Sequence, residues 1–197
     1  MRILISVIFL SLFTSGVFAD QLRNEIRGSS YSNMKTTYIN SMGINITIKH
    51  PRSVYAGERY TIYASMRNRI DYANMGGLTL SFPQYNSIDA NVISRRFDKL
   101  NGYLPPSKLY SRVYGRNIPI DYYVIEGWEN RWSYNTTRYM KIELQAPYSI
   151  DEIDINVRGV LVFGRGRHRE EVAVPRSSYI QDQQGYNVKR ITIRVNK

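Results

Sequence analysis

The sequence has no cysteine and only two histidines, His50 and His168. The missing cysteine excludes disulfides, thiolate metal sites, a cysteine nucleophile and a lipid anchor attached through cysteine. Two well-separated histidines argue against a zinc site. Small exported domains of eukaryotes usually carry disulfides, so a cysteine-free exported chain is more typical of bacteria.

The sequence also has few signals of catalysis. No serine stands in a G-x-S-x-G context, and both histidines are predicted to be ordinary solvent-facing residues. The acidic run at residues 151–154 lacks EF-hand spacing and indicates a solvated turn. The glycine- and arginine-rich segment 164–169 lacks the Lys-Ser/Thr ending of a phosphate loop and indicates a hairpin turn. We therefore predict a non-enzyme without cofactor or metal.

A long apolar run occurs only at the start of the chain. Arg2 precedes an apolar run over residues 3–13, and Val17-Phe18-Ala19 fits a small-x-small cleavage site. This combination predicts a signal peptide over residues 1–19 rather than a membrane span. We expect a mature protein that begins at Asp20, does not span the membrane and is periplasmic or secreted.

Charge of one sign dominates. Lys and Arg number 27 against 16 Asp and Glu, which gives a formal net charge of +11 and a pI of about 9.8. Such a balance predicts attraction to anionic partners or surfaces. Seventeen tyrosines accompany it, a residue type suited both to strands and to binding surfaces.

Alternation of apolar and polar residues predicts an all-β fold. The alternation is clearest over residues 59–67 and 76–82, which we interpret as two antiparallel strands of one packed sheet. Similar runs occur at residues 44–48, 120–128, 139–145, 153–163, 170–174 and 191–195. Residues 160–163 are continuously apolar, which indicates a strand covered on both faces or shifted by a bulge at Gly159. About seven to nine strands with turns between them are typical of an antiparallel β-sandwich.

Two segments lack this alternation. Residues 20–42 are predicted to be an N-terminal arm, either disordered or donated as a strand to a neighbour, and disorder is the favoured interpretation. Residues 84–118 are predicted to be an irregular insertion, with a strand over residues 91–97. The sandwich domain is predicted to span residues 43–197.

One block of the sequence resembles a known family. Ile46-Thr47-Ile48, Pro51, Ala56-Gly57-Glu58, Tyr60-Thr61-Ile62 and Arg67-Asn68 are similar to the first half of bacterial immunoglobulin-like domains. After the second strand the family usually has the pattern Thr-Asn-Thr-Gly, and this sequence has Arg67-Asn68-Arg69-Ile70 at that place. The resemblance implies an immunoglobulin-like β-sandwich with a role in adhesion, spacing or assembly on an envelope or secreted protein.

Arginine and tyrosine, the residue types enriched in binding hot spots, are interleaved in the insertion. They and the 164–169 segment make the candidate partner-binding surface: Arg95, Arg96, Tyr103, Tyr110, Arg112, Tyr114, Arg116, Arg165, Arg167 and Arg169. The alternative for any single tyrosine is that it packs the sandwich.

These observations lead to three hypotheses of decreasing weight. The first is an exported, non-enzymatic binding module that serves as an accessory subunit or partner of a periplasmic or cell-envelope assembly, with a protein partner and no nucleic acid. The second is an electrostatic module for anionic glycan or peptidoglycan. The third is a hydrolase, which would need two carboxylates converging in one cleft.

Overall fold

A computed structural model describes residues 33–84, 97–103, 107–164 and 166–197, and the backbone of residues 90–95. The predicted signal peptide and most of the predicted arm lie outside these residues, so both remain predictions. No helix within the described residues is long and apolar enough to cross a membrane.

The described residues form two stacked sheets, antiparallel except for the short parallel pair of β3 and β14, and one separate hairpin. The first sheet has the order β1-β2-β4-β11-β6. Its strands are β1 (Met34–Ser41), β2 (Ile44–Pro51), β4 (Arg59–Asn68), β6 (Ala90–Arg95) and β11 (Thr137–Gln145). The second sheet has the order β3-β14-β12-β5-β10-β7, and β13 also pairs with β12. Its strands are β3 (Ser53–Tyr55), β5 (Ala73–Phe82), β7 (Lys99–Tyr103), β10 (Tyr123–Trp132), β12 (Glu152–Phe163), β13 (Glu170–Val174) and β14 (Lys189–Asn196).

This strand arrangement is an immunoglobulin-like β-sandwich, as predicted. The order β2-β4-β11-β6 corresponds to A-B-E-D of that fold, and β5-β12-β14 corresponds to C-F-G. The chain changes sheets after β2, because β3 pairs in parallel with β14 at the edge of the second sheet. One departure is that β6, in the D position, precedes β10, which extends the second sheet beside β5.

The core lies between the sheets and is formed mostly by apolar residues of the alternating runs. Ile46 and Met66 of the first sheet belong to the same core cluster as Leu80 and Ile155 of the second sheet, and all four are fully buried. Gly159 of β12 faces this layer, and a Cβ there would come within 2.6 Å of Ile46 Cδ1. The two sheets therefore approach closely at Gly159, and no larger residue fits without displacement.

The register of β12 distinguishes between the two interpretations of its apolar run, coverage on both faces and a bulge at Gly159. Its pairs with β5 advance one residue at a time from Asn156↔Ser81 to Val162↔Met75, without a bulge at Gly159. Val160 and Val162 point to the outer face and are nevertheless buried. The strand is covered on both faces.

Asn68 and Trp132 join the loops at one end of the sandwich. The buried Asn68 amide donates to the carbonyls of Asp71 and Trp132, the latter at 3.1 Å, and its Oδ1 accepts from the Ile70 N–H at 3.0 Å. The Trp132 indole is fully buried and donates Nε1–H to the Thr136 carbonyl at 3.1 Å. The resemblance motif therefore ends on an asparagine whose role is structural.

Several sequence predictions need correction. Residues 34–41 are not a loose arm, because β1 pairs with β2 over its whole length. Residues 84–118 are not simply irregular: they contain β6, β7, β8 (Lys108–Ser111) and most of β9 (Arg116–Pro119). The two clearest strands, β4 and β5, lie in opposite sheets rather than in one. The strand predicted at residues 120–128 begins at Tyr123 and continues to Trp132.

The prediction for His50 is wrong, because the side chain is only 1% exposed. Its Nδ1 lies 2.8 Å from the Pro51 carbonyl, which can only accept, so Nδ1 carries the proton. Its Nε2 then accepts from the Thr37 hydroxyl of β1 at 3.2 Å. Burial, with a smaller contribution from Lys35, lowers the pKa of His50 below 6.5. His168 is exposed, as predicted.

Candidate functional site

A row of polar side chains crosses the outer face of the second sheet. Thr79 of β5 is paired with Glu126 of β10 on one side and with Arg158 of β12 on the other. The Thr79 hydroxyl donates to Glu126 Oε1 at 3.4 Å, and Trp128 Nε1–H donates to Glu126 Oε2 at 3.1 Å. Glu126 is therefore held in place by two donors from its own sheet.

In the next row, Trp128 lies between Gly77 of β5 and Lys99 of β7. Trp128 is paired with Gly77 of β5, where an added Cβ would lie 2.8 Å from the indole. The ring of Trp128 consequently lies against the backbone at Gly77. On the other side of Gly77, Val160 is buried on the same outer face.

The loop of residues 175–188 covers part of this face. Asp182 Oδ1 accepts the N–H groups of Gln184 and Tyr186, at 3.0 and 2.9 Å, which closes a turn. The Tyr186 ring lies under the guanidinium of Arg158, with 3.9 Å from Cζ to the ring centroid. Arg158 also donates to Glu171 of β13 at 2.7 Å. The loop is thus fastened to the sheet at Arg158.

The β8–β9 hairpin is fastened to the same loop by Gln184. The Gln184 carbonyl accepts from the Arg112 N–H at 2.8 Å, and its side-chain amide donates to the Tyr110 carbonyl at 3.0 Å. The Tyr122 hydroxyl donates to Gln184 Oε1 at 3.4 Å. A second, small apolar cluster lies beneath the hairpin, formed by Tyr103, Leu109, Ile120, Tyr122 and Val124.

A partly enclosed cleft of about 280 Å³ remains between the sheet, the loop and the hairpin. Its walls combine aromatic or aliphatic groups with hydrogen-bonding groups. The first kind comprises Leu109, Tyr110, Trp128, Val160, Val162 and Tyr186, and the second kind comprises Thr79, Glu126, Arg158, Arg169, Glu171, Asp182 and Gln184.

The two most enclosed carboxyl groups of the cleft resist ionisation. Burial raises the pKa of Glu126 above 4.5, against the opposing effects of its two donors and Arg158. Burial also raises the pKa of Asp182 above 3.8, although it accepts backbone N–H groups and lies near Arg158. The pKa of Tyr122 is raised too, first by burial and then by Asp182. Burial in the cleft therefore disfavours the charged forms of these three side chains, and it would disfavour a charged ligand for the same reason.

The cleft meets the geometric condition that the hydrolase hypothesis required, since Glu126, Glu171 and Asp182 line one space. Glu171 is paired with Arg158. A glycosidase pair needs one protonated and one ionised carboxyl group, with pKa values pushed apart. In this cleft, burial raises the pKa of Glu126 and that of Asp182.

The structure separates the ten predicted surface residues into groups. Tyr110, Arg112, Tyr114 and Arg116 lie exposed on the β8–β9 hairpin, and Arg167 and Arg169 lie exposed after β12. Tyr103 is half-buried in the small apolar cluster, so it packs the fold. Arg96, Arg165 and the Arg95 side chain lie outside the described residues. The cleft brings together Tyr110 and Arg169 from the prediction.

Sequence reasoning missed most of the cleft. Glu126 and Arg158 occupy outward positions of strands, where polar residues are ordinary. One signal existed: Val160 and Val162 also occupy outward positions, and their apolar character indicates that something covers that face.

No protein-family model matches the chain, and no curated protein matches it. Similar solved structures include an uncharacterised protein from Nocardia farcinica with an immunoglobulin-like fold, at 8% identity and a TM-score of 0.39, covering 76% of this chain and 97% of that one. A cohesin module from a Clostridium perfringens family 33 glycoside hydrolase has 11% identity and a TM-score of 0.35, covering 81% and 100%. AvmM, which catalyses macrocyclization in alchivemycin A biosynthesis, has 10% identity and a TM-score of 0.38, covering 85% and 90%. These low values limit the likeness to the β-sandwich fold.

Proposed function

We propose that the protein is an exported, non-enzymatic binding module that docks an acidic protein partner of the cell envelope through the β8–β9 hairpin. The observation that carries this proposal is the exposure of Tyr110, Val113 and Tyr114 at 53%, 65% and 63% on a hairpin that Gln184 fixes to the body. A fixed hairpin loses little conformational entropy on binding, so its contacts translate into affinity.

The charges beside these tyrosines support an acidic partner. Within the described part of the chain, the ion pairs involve none of Arg112, Arg116, Arg167 and Arg169. Arginine in this situation can donate to a carboxylate through two parallel hydrogen bonds. Tyrosine and arginine together are also the residue types that dominate binding energy at protein interfaces.

The test is a pull-down from native cell envelope with tagged residues 20–197. We expect one or two defined proteins to be retained at high salt, and the double substitution Arg112→Glu and Arg116→Glu to release them. The matched control is Arg52→Glu with Arg59→Glu, two exposed arginines away from the hairpin. Equal retention by all three proteins would contradict the proposal.

The second hypothesis, an electrostatic module for anionic glycan, uses the same four arginines. It differs in its salt dependence, because contacts made mainly by exposed charges weaken as the Debye length shortens. Retention on envelope polysaccharide that disappears at high salt, with no protein retained, would favour it.

A further inference from the structure

We propose that the cleft beneath the β8–β9 hairpin binds one neutral sugar residue. The proposal shares Tyr110 and Arg169 with the docking surface, but it concerns a different ligand, and its test measures sugar binding rather than partner docking.

The charges of the cleft argue for a neutral ligand. Glu126, Glu171 and Asp182 line it together with Arg158 and Arg169. A cationic ligand would meet two guanidinium groups, and an anionic ligand would meet three carboxyl groups. A ligand without net charge avoids both repulsions.

The arrangement of donors and acceptors argues for hydroxyl groups. Each sugar hydroxyl donates one hydrogen bond and accepts others, so a polyol needs acceptors and donors side by side. Glu126 and Asp182 are acceptors held in place by Thr79, Trp128 and backbone N–H groups. A guanidinium carries five N–H donors, and that of Arg158 is fixed between Glu171 and the Tyr186 ring. The cleft thus offers both kinds of partner without reorganising.

The size and the apolar walls of the cleft argue for a single ring. Its volume of about 280 Å³ lies at the lower limit of small-molecule sites, roughly 300 Å³, and is too small for a folded peptide element. Trp128, Tyr186 and Tyr110 add broad surfaces that can pack against the C–H faces of a sugar. The raised pKa of Glu126 fits a site where a neutral ligand excludes water.

The test is a calorimetric or ligand-observed NMR titration of residues 20–197 with D-glucose, D-galactose, D-mannose and N-acetyl-D-glucosamine. Glucuronic acid and glucosamine serve as charged comparators, and lactose and chitobiose distinguish a chain end from a free sugar. We expect at least one neutral sugar to bind, with an affinity that raised salt does not change.

Two substitutions localise that binding. Arg169→Ala changes an exposed side chain at the rim, and Glu126→Gln keeps the shape of a partly buried one. Each should weaken binding about tenfold, as expected for the loss of one hydrogen bond. Arg112→Ala on the hairpin should leave it unchanged, although it weakens partner docking. Binding of charged sugars alone, no binding of any neutral sugar, or binding that survives both substitutions would overturn the proposal.

Discussion

The guanidinium of Arg158 lies 3.9 Å above the ring centroid of Tyr186 and joins the 175–188 loop to the outer face of the second sheet. The same guanidinium is paired with Glu171 of β13. One strand residue therefore holds the loop, and through Gln184 the loop holds the β8–β9 hairpin. The position of the proposed docking surface depends on this chain of contacts.

The first prediction concerns the coupling of these two residues. A double-mutant cycle with Arg158→Met and Tyr186→Leu should give a coupling free energy of about 0.5–2 kcal/mol, because a partly desolvated cation–π contact is lost only once. Equilibrium unfolding in urea measures it. The control cycle replaces Tyr186 with Tyr55, an exposed tyrosine of β3, and should give no coupling. Equal coupling in both cycles would refute the contact.

A second prediction concerns Asn68. Asn68→Ala should destabilise the fold by about 2–4 kcal/mol, because it leaves buried carbonyl and N–H groups of two loops without their partner. Asn117→Ala, at an exposed position of β9, should change the free energy of unfolding by no more than about 0.5 kcal/mol. Urea denaturation compares the two, and a loss below about 1 kcal/mol for Asn68→Ala would count against its structural role.

The pH dependence of the unfolding free energy tests the lowered pKa of the buried His50. The folded pKa lies below 6.5, so the unfolded chain takes up the proton first as the pH falls below 6.5. The stability that the neutral form of His50 contributes is fully present above pH 6.5. It is lost as the pH falls through the folded pKa, by at most about 1.4 kcal/mol per pH unit. Unfolding free energies from pH 7.5 down to pH 5 should fall more steeply for the wild type than for His50→Gln. His168→Gln, at an exposed position, should keep the wild-type slope, and parallel curves for all three proteins would be the contrary result.

The contribution of Glu126 to stability should have the opposite pH dependence to that of His50. The folded pKa of Glu126 lies above 4.5, so its contribution is present below 4.5 and is lost as the pH rises through the folded pKa. The stability of the wild type relative to Glu126→Gln should therefore decrease as the pH is raised from 4 to 7, again by at most about 1.4 kcal/mol per pH unit. Glu152→Gln, an exposed control on the same sheet, should show a constant difference. A constant difference for Glu126→Gln as well would mean that burial does not shift its pKa.

Local patterns predicted the core because a period of two is a property of each strand by itself. Ile46, Met66 and Leu80 could be assigned to the interior without knowing their neighbours. Strand pairing is different, since it depends on contacts between distant segments. For this reason the sequence pattern predicts β4 and β5 in one sheet, although they lie in opposite sheets.

The same limit applies to the cleft and to His50. Thr79, Glu126 and Arg158 form a row only because three registers align them, and no segment of the sequence contains that information. His50 is buried by β1, a strand whose polar sequence has no sustained alternation and favours disorder over pairing. The exposed hairpin residues were easier to identify, since Arg112, Tyr114 and Arg116 are close in sequence and need only exposure to act together.

Site-specific photo-crosslinking in native cell envelope tests the docking surface most directly. A photoreactive amino acid replaces Tyr114 in one protein and Tyr55 in another, two tyrosines exposed to 63% and 65% on different parts of the fold. We predict a defined protein adduct from position 114 that Arg112→Glu with Arg116→Glu abolishes, and none from position 55. Adducts of equal yield from both positions, or an adduct at 114 that persists after charge reversal, would contradict it.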